Sequence, residues 1–324
     1  MNILICGGAG YIGSHMAKIL NNRDHRITIF DNLSTGHKEA VKWGRFVQGD
    51  LLSTEDLDRV FNSDNFDAVM HFSAKSLVNE SMGDPALYYL NNVSGTINLL
   101  GVMRKYEVKK FVFSSSAATF GNPVKDVIDE THPQVPMNPY GETKLMVEKI
   151  LKDYASAFDF SSVSLRYFNA AGADPHGEIG ESHNPETHLI PNVLRSVLDK
   201  NMRLKVFGKD YNTKDGTCVR DYIHINDLCM AHLNAIEYME GKKGAHGFNL
   251  GNGRGFSILE IIRGAEDVTG NKIEFDYKPP RTGDPKILVA DSSLAKNELG
   301  FSPEYTDIAE IIQTAWVWHQ NQKY

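Results

Sequence analysis

The sequence contains few cysteines and no long apolar stretch. Only three cysteines occur among 324 residues, and they lack the spacing of a metal site or of a disulfide framework. No run approaches the roughly 20 apolar residues that span a bilayer. The chain passes from Met1 directly into an apolar strand, which leaves no room for a signal peptide. We therefore expect a cytoplasmic protein without a membrane segment or a bound metal.

An excess of positive charge is also absent. The 34 lysines and arginines are outnumbered by 41 aspartates and glutamates, which gives a net charge of −7. A basic surface for nucleic acid or for an anionic membrane is therefore not expected. Hydrophobic residues make up 41% of the chain and charged residues 23%, as in ordinary globular proteins of one or two domains.

The clearest motif lies at the start of the chain. The apolar run Ile3–Cys6 predicts a strand, glycines follow at 7, 10 and 13, and helical apolar spacing continues to Leu20. This arrangement brings backbone N–H groups to a pyrophosphate. Gly7 permits the turn, Gly10 allows close approach of the phosphates, and Gly13 lets the helix pack on the strand. The motif predicts a dinucleotide-binding domain.

A carboxylate follows at the expected distance. The next apolar run, Arg26–Phe30, ends in Asp31, eighteen residues after Gly13. A carboxylate at the tip of the second strand binds the hydroxyls of the adenosine ribose. Because Asp31 would repel a 2′-phosphate, the sequence favours NAD over NADP.

Predicted strands and helices alternate as far as Asn169. This alternation predicts an α/β fold with a doubly wound, parallel, Rossmann-type sheet. The irregular stretch Ala170–Pro191 that follows is of a kind that usually carries function. We predict an NAD-binding domain over residues 1–168, to which a segment near 222–250 returns, and a smaller interleaved substrate-binding lobe over residues 169–324.

Candidate catalytic residues lie on the predicted helix Tyr140–Phe158 and at the end of the predicted fifth strand. Tyr140 and Lys144 are four residues apart and so share a helix face. A phenol, whose pKa is about 10, is a poor base at neutral pH, but a nearby ammonium and an oxidised nicotinamide ring lower that pKa. The serines Ser114–Ser116 end a strand at the carboxyl edge, where such sheets bind ligands. One of them is a candidate hydrogen-bond partner for a substrate oxygen.

Together these features resemble the extended short-chain dehydrogenase/reductase superfamily, which has a Gly-x-x-Gly-x-x-Gly turn and a Ser…Tyr-x-x-x-Lys triad. Within it, the chain is similar to the UDP-glucose 4-epimerase family over nearly its whole length. The stretches that carry this similarity are GGAGYIGSH (7–15), DNLS (31–34), HFSAKSLVNES (71–81), NNVSGT (91–96), FSSSAATFG (113–121), PYGETKLMVE (139–148), LRYFNAAGA (165–173), HLIP (188–191), DGTCVRDYIH (215–224) and RTGDP (281–285).

The resemblance implies a UDP-sugar substrate, a retained NAD and epimerisation by transient oxidation at carbon 4. It makes Ser116 the catalytic serine, Tyr140 the base and Lys144 its partner. The residues implied to bind NAD are Gly7, Gly10, Tyr11, Ile12, Gly13, Asp31, Asn32, Asp50, Leu51, Phe72, Ser73, Ala74, Asn92, Ser114, Tyr140, Lys144 and Tyr167. Those implied to bind the substrate are Ser116, Tyr140, Asn169, His188, Leu189, Phe207, Arg220, Arg281, Asp284 and Leu288.

Several substrate contacts have implied individual roles. Arg220 and Arg281 meet the diphosphate, which suits their fork-shaped donors. Phe207 packs on the uracil, and Asp284 binds the uridine ribose. Leu288 borders the sugar's 2-substituent, where relatives with tyrosine are restricted to UDP-glucose and UDP-galactose and those with cysteine or serine also accept N-acetylated sugars. Activity on UDP-glucose and UDP-galactose is expected, with slower activity on N-acetylated sugars left open.

Other activities of the superfamily fit less well. Ala117 and Ala118 stand where nucleotide-sugar 4,6-dehydratases carry an acidic pair and decarboxylases a glutamate, so no group is there to protonate a leaving hydroxyl. A 4-epimerase that prefers a pentose, a uronate or an N-acetylhexosamine remains an alternative, as does a non-catalytic NAD(H)-sensing protein. Phe120 replaces the family's usual tyrosine, and Lys75 departs from the family pattern and receives no role.

The resemblance also implies a homodimer. Relatives pair two long helices into a four-helix interface, and the corresponding predicted helices here are Leu87–Tyr106 and Tyr140–Phe158. The apolar side chains proposed for that surface are Leu145, Ile150, Leu151 and Tyr154.

Overall fold

The computed structural model describes residues 1–281 and 285–324. Its strands are β1 (Asn2–Cys6), β2 (Arg26–Asp31), β3 (Arg45–Gln48), β4 (Ala68–His71), β5 (Lys110–Ser114), β6 (Val127–Ile128), β7 (Ser161–Tyr167), β8 (Asn169–Ala171), β9 (Leu204–Phe207), β10 (Val219–His224), β11 (Gly244–Leu250), β12 (Gly255–Ser257), β13 (Phe275–Lys278) and β14 (Ile287–Ala290). Its α-helices are α1 (Tyr11–Asn21), α2 (Thr54–Asn62), α3 (Val78–Gly83), α4 (Pro85–Tyr88), α5 (Gly95–Lys105), α6 (Pro139–Phe158), α7 (Leu189–Leu198), α8 (Ile225–Tyr238), α9 (Ile258–Thr269), α10 (Ser293–Leu299) and α11 (Ile308–Gln320). Among these described helices, none is both long and apolar enough to span a bilayer.

A seven-stranded parallel sheet forms the centre of the fold. Its strand order is β11-β7-β5-β4-β1-β2-β3. All five residues of β1 are buried because helices cover both faces of a parallel sheet. Ile3 and Ile5 pack in a core with side chains of α1 and α8, whereas Leu4 and Cys6 pack with α2, α5 and α6 on the other face. The predicted α/β fold with a doubly wound parallel sheet is confirmed.

Smaller sheets lie beyond β7. β10 pairs with β8, β12 and β14, β6 extends this group through β14, and β9 pairs with β13. A third apolar core joins helices α7, α9 and α11. The C-terminal half therefore contributes both a strand of the main sheet, β11, and a separate layer next to its carboxyl edge.

The predicted helix Leu87–Tyr106 is more complex than its sequence pattern. It begins at Pro85, after Asp84 accepts a hydrogen bond from the Leu87 amide. A π-helical segment, Tyr89–Ser94, separates α4 from α5. Such segments occur frequently at functional sites, and this one contains Asn92, which is only 3% exposed.

Candidate active site

The glycine turn after β1 leaves space for a ligand at one of its three positions. Gly7 has φ +82°, and a Cβ there would lie 2.6 Å from the Ser73 amide nitrogen. A Cβ on Gly13 would lie 2.2 Å from the Gly7 carbonyl oxygen. Packing of the protein itself therefore demands these two glycines. At Gly10 the nearest atom to an added Cβ is 3.4 Å away, an ordinary contact, so the room beside Gly10 remains available to a ligand.

A cleft of about 570 Å³ of empty space opens beside this turn, at the carboxyl ends of β1 to β4. Nine of the predicted NAD-binding residues line it: Gly7, Gly10, Asp31, Asn32, Asp50, Leu51, Phe72, Ser73 and Ala74. The sequence analysis missed other lining residues: Phe30, Ser34, Thr35, Gly36, Gly49, Lys75 and Asn91. Ser34, Thr35 and Gly36 lie within five residues after Asp31, and this proximity is a signal that identifies them.

Asp31 is fixed at the tip of β2. Its Oδ2 accepts a hydrogen bond from the Ala9 amide at 2.9 Å, and its Oδ1 accepts one from Leu33 at 2.8 Å. Burial raises the pKa of this carboxyl, and the two amides oppose the shift. Each carboxylate oxygen has a second lone pair, so Asp31 can still accept hydrogen bonds from two ribose hydroxyls.

A second carboxylate is held at the tip of β3. The Asn32 amide donates to Asp50 Oδ2 at 2.9 Å, and the Leu52 amide donates to Asp50 Oδ1 at 2.8 Å. These bonds join the ends of β2 and β3 and fix the rim of the cleft.

Other predicted cofactor residues lie behind the cleft. Asn92 donates to the Lys75 carbonyl and to Thr143 Oγ1, both at 3.0 Å, and accepts from the Lys75 amide at 2.8 Å. It thus fixes the loop after β4 to helix α6. The Tyr11 hydroxyl donates to the Gly172 carbonyl at 2.6 Å, and Ile12 packs against the core. The roles of these residues towards NAD stay predictions.

The structure brings Ser116 and Tyr140 together. Ser116 begins a short 3₁₀ segment, Ala117–Thr119, and its hydroxyl accepts a hydrogen bond from the Ala118 amide at 3.1 Å. Burial raises the pKa of Tyr140, and a hydrogen bond with Ser116 acts in the opposite direction. The pair forms a site in which the phenol can exchange a proton with a bound hydroxyl.

Lys144 lies beside Tyr140 and is hydrogen-bonded to the end of β5. Its Nζ donates to the Ser114 carbonyl at 2.7 Å and lies 5.8 Å from the centre of the Tyr140 ring. Burial lowers the pKa of Lys144 to about 7, although Glu148 opposes the shift. Burial therefore raises the pKa of the phenol and lowers that of the lysine, and the lowering of the Tyr140 pKa by the lysine together with an oxidised nicotinamide ring stays a prediction.

The three serines after β5 have three different partners. Ser114 Oγ shares a hydrogen bond of 2.7 Å with the Tyr167 hydroxyl. Ser115 Oγ donates to Glu148 at 2.6 Å and is fully buried. Of the three, Ser116 is the one that interacts with Tyr140, and its catalytic role stays a prediction.

A buried ion pair supports this site from behind. Arg166 on β7 donates to Glu148 on α6 through Nη2 at 2.7 Å and through Nε at 2.9 Å. Gln134 donates to the same carboxylate at 3.1 Å. Glu148 lies one turn after Lys144 on α6, so the pair fixes the helix that carries Lys144 and Tyr140. The quoted motifs contain both ionic residues, but the sequence analysis gave them no role.

Predicted substrate residues gather on the smaller sheets. Arg220 on β10 is the register partner of Leu288 on β14, and Leu288 is half-buried. The Asn169 amide donates to the Asp221 carbonyl at 2.9 Å. The Arg281 guanidinium lies 4.3 Å from the centre of the Phe207 ring.

Two further predicted substrate residues lie at the start of α7. Leu189 is the first residue of α7, and His188 precedes it as the N-cap. Burial disfavours charge on His188, but Glu181 and Glu186 outweigh this effect and raise its pKa to about 10. Asp284 lies outside the described residues.

Comparison with known proteins assigns this arrangement to a family. The model of the NAD dependent epimerase/dehydratase family matches residues 3–251. The chain belongs to this family. The UDP-glucose 4-epimerase of Lacticaseibacillus casei is 48% identical over 322 residues, which cover 99% of this chain and 97% of that relative.

Solved structures of similar proteins contain ligands. The UDP-glucose 4-epimerase from Brucella ovis in complex with NAD has a TM-score of 0.94 and 47% identity to this family member, with 97% of each chain covered. The enzyme from Bifidobacterium longum in complex with NAD⁺ and UDP has a TM-score of 0.94 and 36% identity, with 99% of each chain covered.

Proposed function

We propose that this family member is an NAD-dependent UDP-glucose 4-epimerase that interconverts UDP-galactose and UDP-glucose. Slower action on N-acetylated UDP-sugars is a side activity for the assays to decide. The observation that carries the proposal is the placement of Ser116 beside Tyr140, with Lys144 one helical turn further along α6, at the carboxyl edge of a sheet whose neighbouring strands end in the cleft. The similarity to UDP-glucose 4-epimerases along almost the whole chain supports it.

The residues of the cleft fit NAD. The space beside Gly10 accommodates a pyrophosphate, and the first-turn amides of α1 have no partners within the helix and point towards its N-terminus. Asp31 and Asp50 supply acceptors at the strand tips for the adenosine end. When bound, NAD supplies a hydride acceptor for carbon 4 of the sugar and returns the hydride.

The catalytic residues move one proton. Tyr140 removes the proton from the sugar 4-hydroxyl and later returns it, and Ser116 donates a hydrogen bond to the same oxygen. Lys144, held by the Ser114 carbonyl, supplies positive charge beside the phenolate when it is protonated. Ala117 and Ala118 offer no acid for elimination, which favours epimerisation over dehydration.

The smaller lobe holds the rest of the substrate. We assign the sugar diphosphate to Arg220, Arg281 and Asn169, and the uridine to Phe207, Leu189, His188 and Asp284. In this division, residues 1–168 with a returning segment near 222–250 form the NAD-binding unit, and residues 169–324 form the UDP-sugar lobe. A fixed uridine diphosphate leaves the sugar ring free to turn, so that either face of carbon 4 can meet the cofactor.

A cytoplasmic homodimer completes the proposal, with a changed set of interface residues. Leu145 and Leu151 are 6% and 0% exposed, and Leu151 packs in the core, so neither offers exposed surface to an interface. Leu90 in the π-helical segment and Ile97 on α5 are 53% and 43% exposed, and Phe158 at the end of α6 is 39% exposed. Light scattering is expected to give twice the 36.2 kDa chain mass, and a monomer at micromolar concentration contradicts the dimer.

Turnover of UDP-galactose tests the activity. The purified chain with NAD and no added reductant is expected to produce UDP-glucose until both sugars reach equilibrium, without net formation of NADH. Binding of NAD and UDP-galactose without conversion favours the NAD(H)-sensing alternative. Conversion of a UDP-pentose or UDP-uronate at a higher kcat/KM than UDP-galactose favours an epimerase of different preference.

A further inference from the structure

Two histidines and two glutamates converge in the irregular segment before α7. Glu181, His183, Glu186 and His188 each offer one nitrogen or oxygen, and these four atoms lie within 4.8 Å of one another. Glu181 and Glu186 have side chains that are 5% and 1% exposed. Two carboxylates of this kind rarely stay buried without a cation beside them.

Two atoms of the cluster lack a hydrogen-bond partner. Glu186 Oε2 and His183 Nδ1 are both buried, and neither makes a hydrogen bond of acceptable geometry. They face each other at 3.5 Å. Buried polar atoms without partners are uncommon in proteins and point to an ion or a water. This pair therefore marks a position where an additional atom bridges the two side chains.

The spacing of the four ligand atoms fits a small tetrahedral cation. His188 Nδ1 lies 2.7 Å from Glu181 Oε1 and 3.2 Å from Glu186 Oε1, and His183 Nδ1 lies 3.4 Å from Glu181 Oε1. Bonds of about 2.0–2.1 Å to a tetrahedral zinc place neighbouring ligand atoms about 3.3 Å apart. Imidazoles combined with carboxylates suit zinc and similar transition metals, whereas calcium and magnesium prefer sites made of oxygen alone.

We propose that Glu181, His183, Glu186 and His188 form a binding site for a divalent transition metal of the zinc class. Metal binding displaces the protons of the two imidazoles, and the two carboxylates then carry the charge that a divalent cation neutralises. Four protein ligands fill a tetrahedral shell and leave no open position, as in structural rather than catalytic zinc sites. The site goes beyond the epimerase activity, and it revises the expectation from the sequence that the chain holds no metal. That expectation rested on the spacing of the three cysteines, and cysteine spacing does not reveal a site made of histidine and glutamate.

The position of the cluster indicates what the metal does. The Glu181 carbonyl accepts a hydrogen bond from Trp318 Nε1 at 2.9 Å, and Ser182 Oγ donates to the Tyr324 carbonyl at 3.0 Å. The His37 ring contacts the Ser182 carbonyl at 3.2 Å. A small cavity joins this segment to the glycine turn, and its lining includes Ala9, Gly10, Gly180 and His183. A metal would therefore fasten the segment between the turn and the first residue of α7.

Zinc binding by the full-length chain tests the proposal. After treatment with a chelator and desalting, the protein is titrated with zinc in competition with a chromophoric chelator, and its thermal midpoint is measured with and without zinc. We expect one zinc per chain and a higher thermal midpoint with zinc, because a ligand of the folded state stabilises it. Magnesium at the same concentration is expected to leave the midpoint unchanged.

Matched variants separate the site from unspecific binding. His176 lies in the same segment but is exposed and outside the cluster, so His176→Gln is the control for His183→Gln. Mutation of residues that only hydrogen-bond to metal ligands typically lowers metal affinity about 10–100-fold. Loss of a ligand itself, in His183→Gln or Glu186→Gln, is therefore expected to weaken zinc binding by more than about 100-fold. The control is expected to bind as the wild type does.

Two results overturn the proposal. One is the absence of stoichiometric zinc on the wild-type chain, which identifies the cluster as a metal-free network of protonated imidazoles and carboxylates. The other is equal zinc binding by the wild type and His183→Gln. His188→Gln, at a half-exposed side chain, provides a second ligand variant if His183→Gln does not fold. Zinc binding and the thermal midpoint are both measured without catalysis, so a negative result for the metal site leaves the proposed epimerase activity unaffected.

Discussion

Replacement of Glu148 by glutamine tests how helix α6, which carries Tyr140 and Lys144, is held in place. The side chains of Glu148 and Arg166 are 3% and 8% exposed and are joined at 2.7 Å. Glu148→Gln keeps the shape of the side chain but leaves the Arg166 charge buried without a counter-charge. Removal of one partner from a buried pair costs about 3–5 kcal/mol of unfolding free energy. We expect a loss in that range at pH 7.5.

The effect is expected to depend on pH. Burial pushes the pKa of Glu148 upward, but Arg166 outweighs it, so the pKa lies below its ordinary value in the folded protein. A carboxyl with a lower pKa in the folded state adds stability above its unfolded pKa, and this stability is lost as the pH falls through the folded pKa. The difference between wild type and Glu148→Gln is therefore expected to narrow below about pH 4.

Urea unfolding at equilibrium provides the measurement, and a surface pair provides the control. Asp58 accepts from Lys105 at 2.7 Å, but these side chains are 41% and 59% exposed. Exposed pairs contribute about 0–1 kcal/mol, so Asp58→Asn is expected to change little. A loss below about 1 kcal/mol in Glu148→Gln, equal to that of the control, would refute the view that this ion pair supports the site.

Three further predictions concern the activity. Tyr140→Phe is expected to lower kcat by about 10²–10⁴-fold because it removes the base, while calorimetry shows nearly unchanged UDP affinity; retention of a tenth of the wild-type rate places the base elsewhere. The nucleotide extracted from the purified protein is expected to be NAD because Asp31 repels a 2′-phosphate, and mainly NADP would contradict this role. Leu288→Tyr is expected to suppress activity on UDP-N-acetylglucosamine and Leu288→Ser to raise it, both with UDP-glucose spared; an unchanged kcat/KM ratio removes Leu288 from the pocket.

Local patterns predicted the elements that carry the site. The glycine spacing after Ile3–Cys6 and the carboxylate that ends β2 identified the cofactor cleft, because a strand, turn and helix follow one another along the chain. The i, i+4 pair Tyr140 and Lys144 was likewise visible, since both residues lie on one helix. These features depend on contacts within a few residues, or on the known edge at which parallel strands end.

Contacts between distant segments were not visible in the sequence. The Lys144 pKa depends on burial and on Glu148, so the expected effect of the lysine on Tyr140 did not follow from helical spacing alone. Glu148 meets Arg166 only after β7 packs beside α6. The four side chains of the cluster that contains Glu186 come together through an irregular loop. Such a loop has no period from which side-chain directions can be predicted.

Transfer of a label at carbon 4 tests the central claim most directly. UDP-galactose with deuterium at carbon 4 is incubated with the purified protein and NAD, and the UDP-glucose formed is analysed by mass spectrometry and NMR. Because the hydride leaves and returns within one bound complex, the product is expected to keep the deuterium at carbon 4. Loss of the deuterium to solvent, or its appearance at another carbon, would contradict transient oxidation at carbon 4.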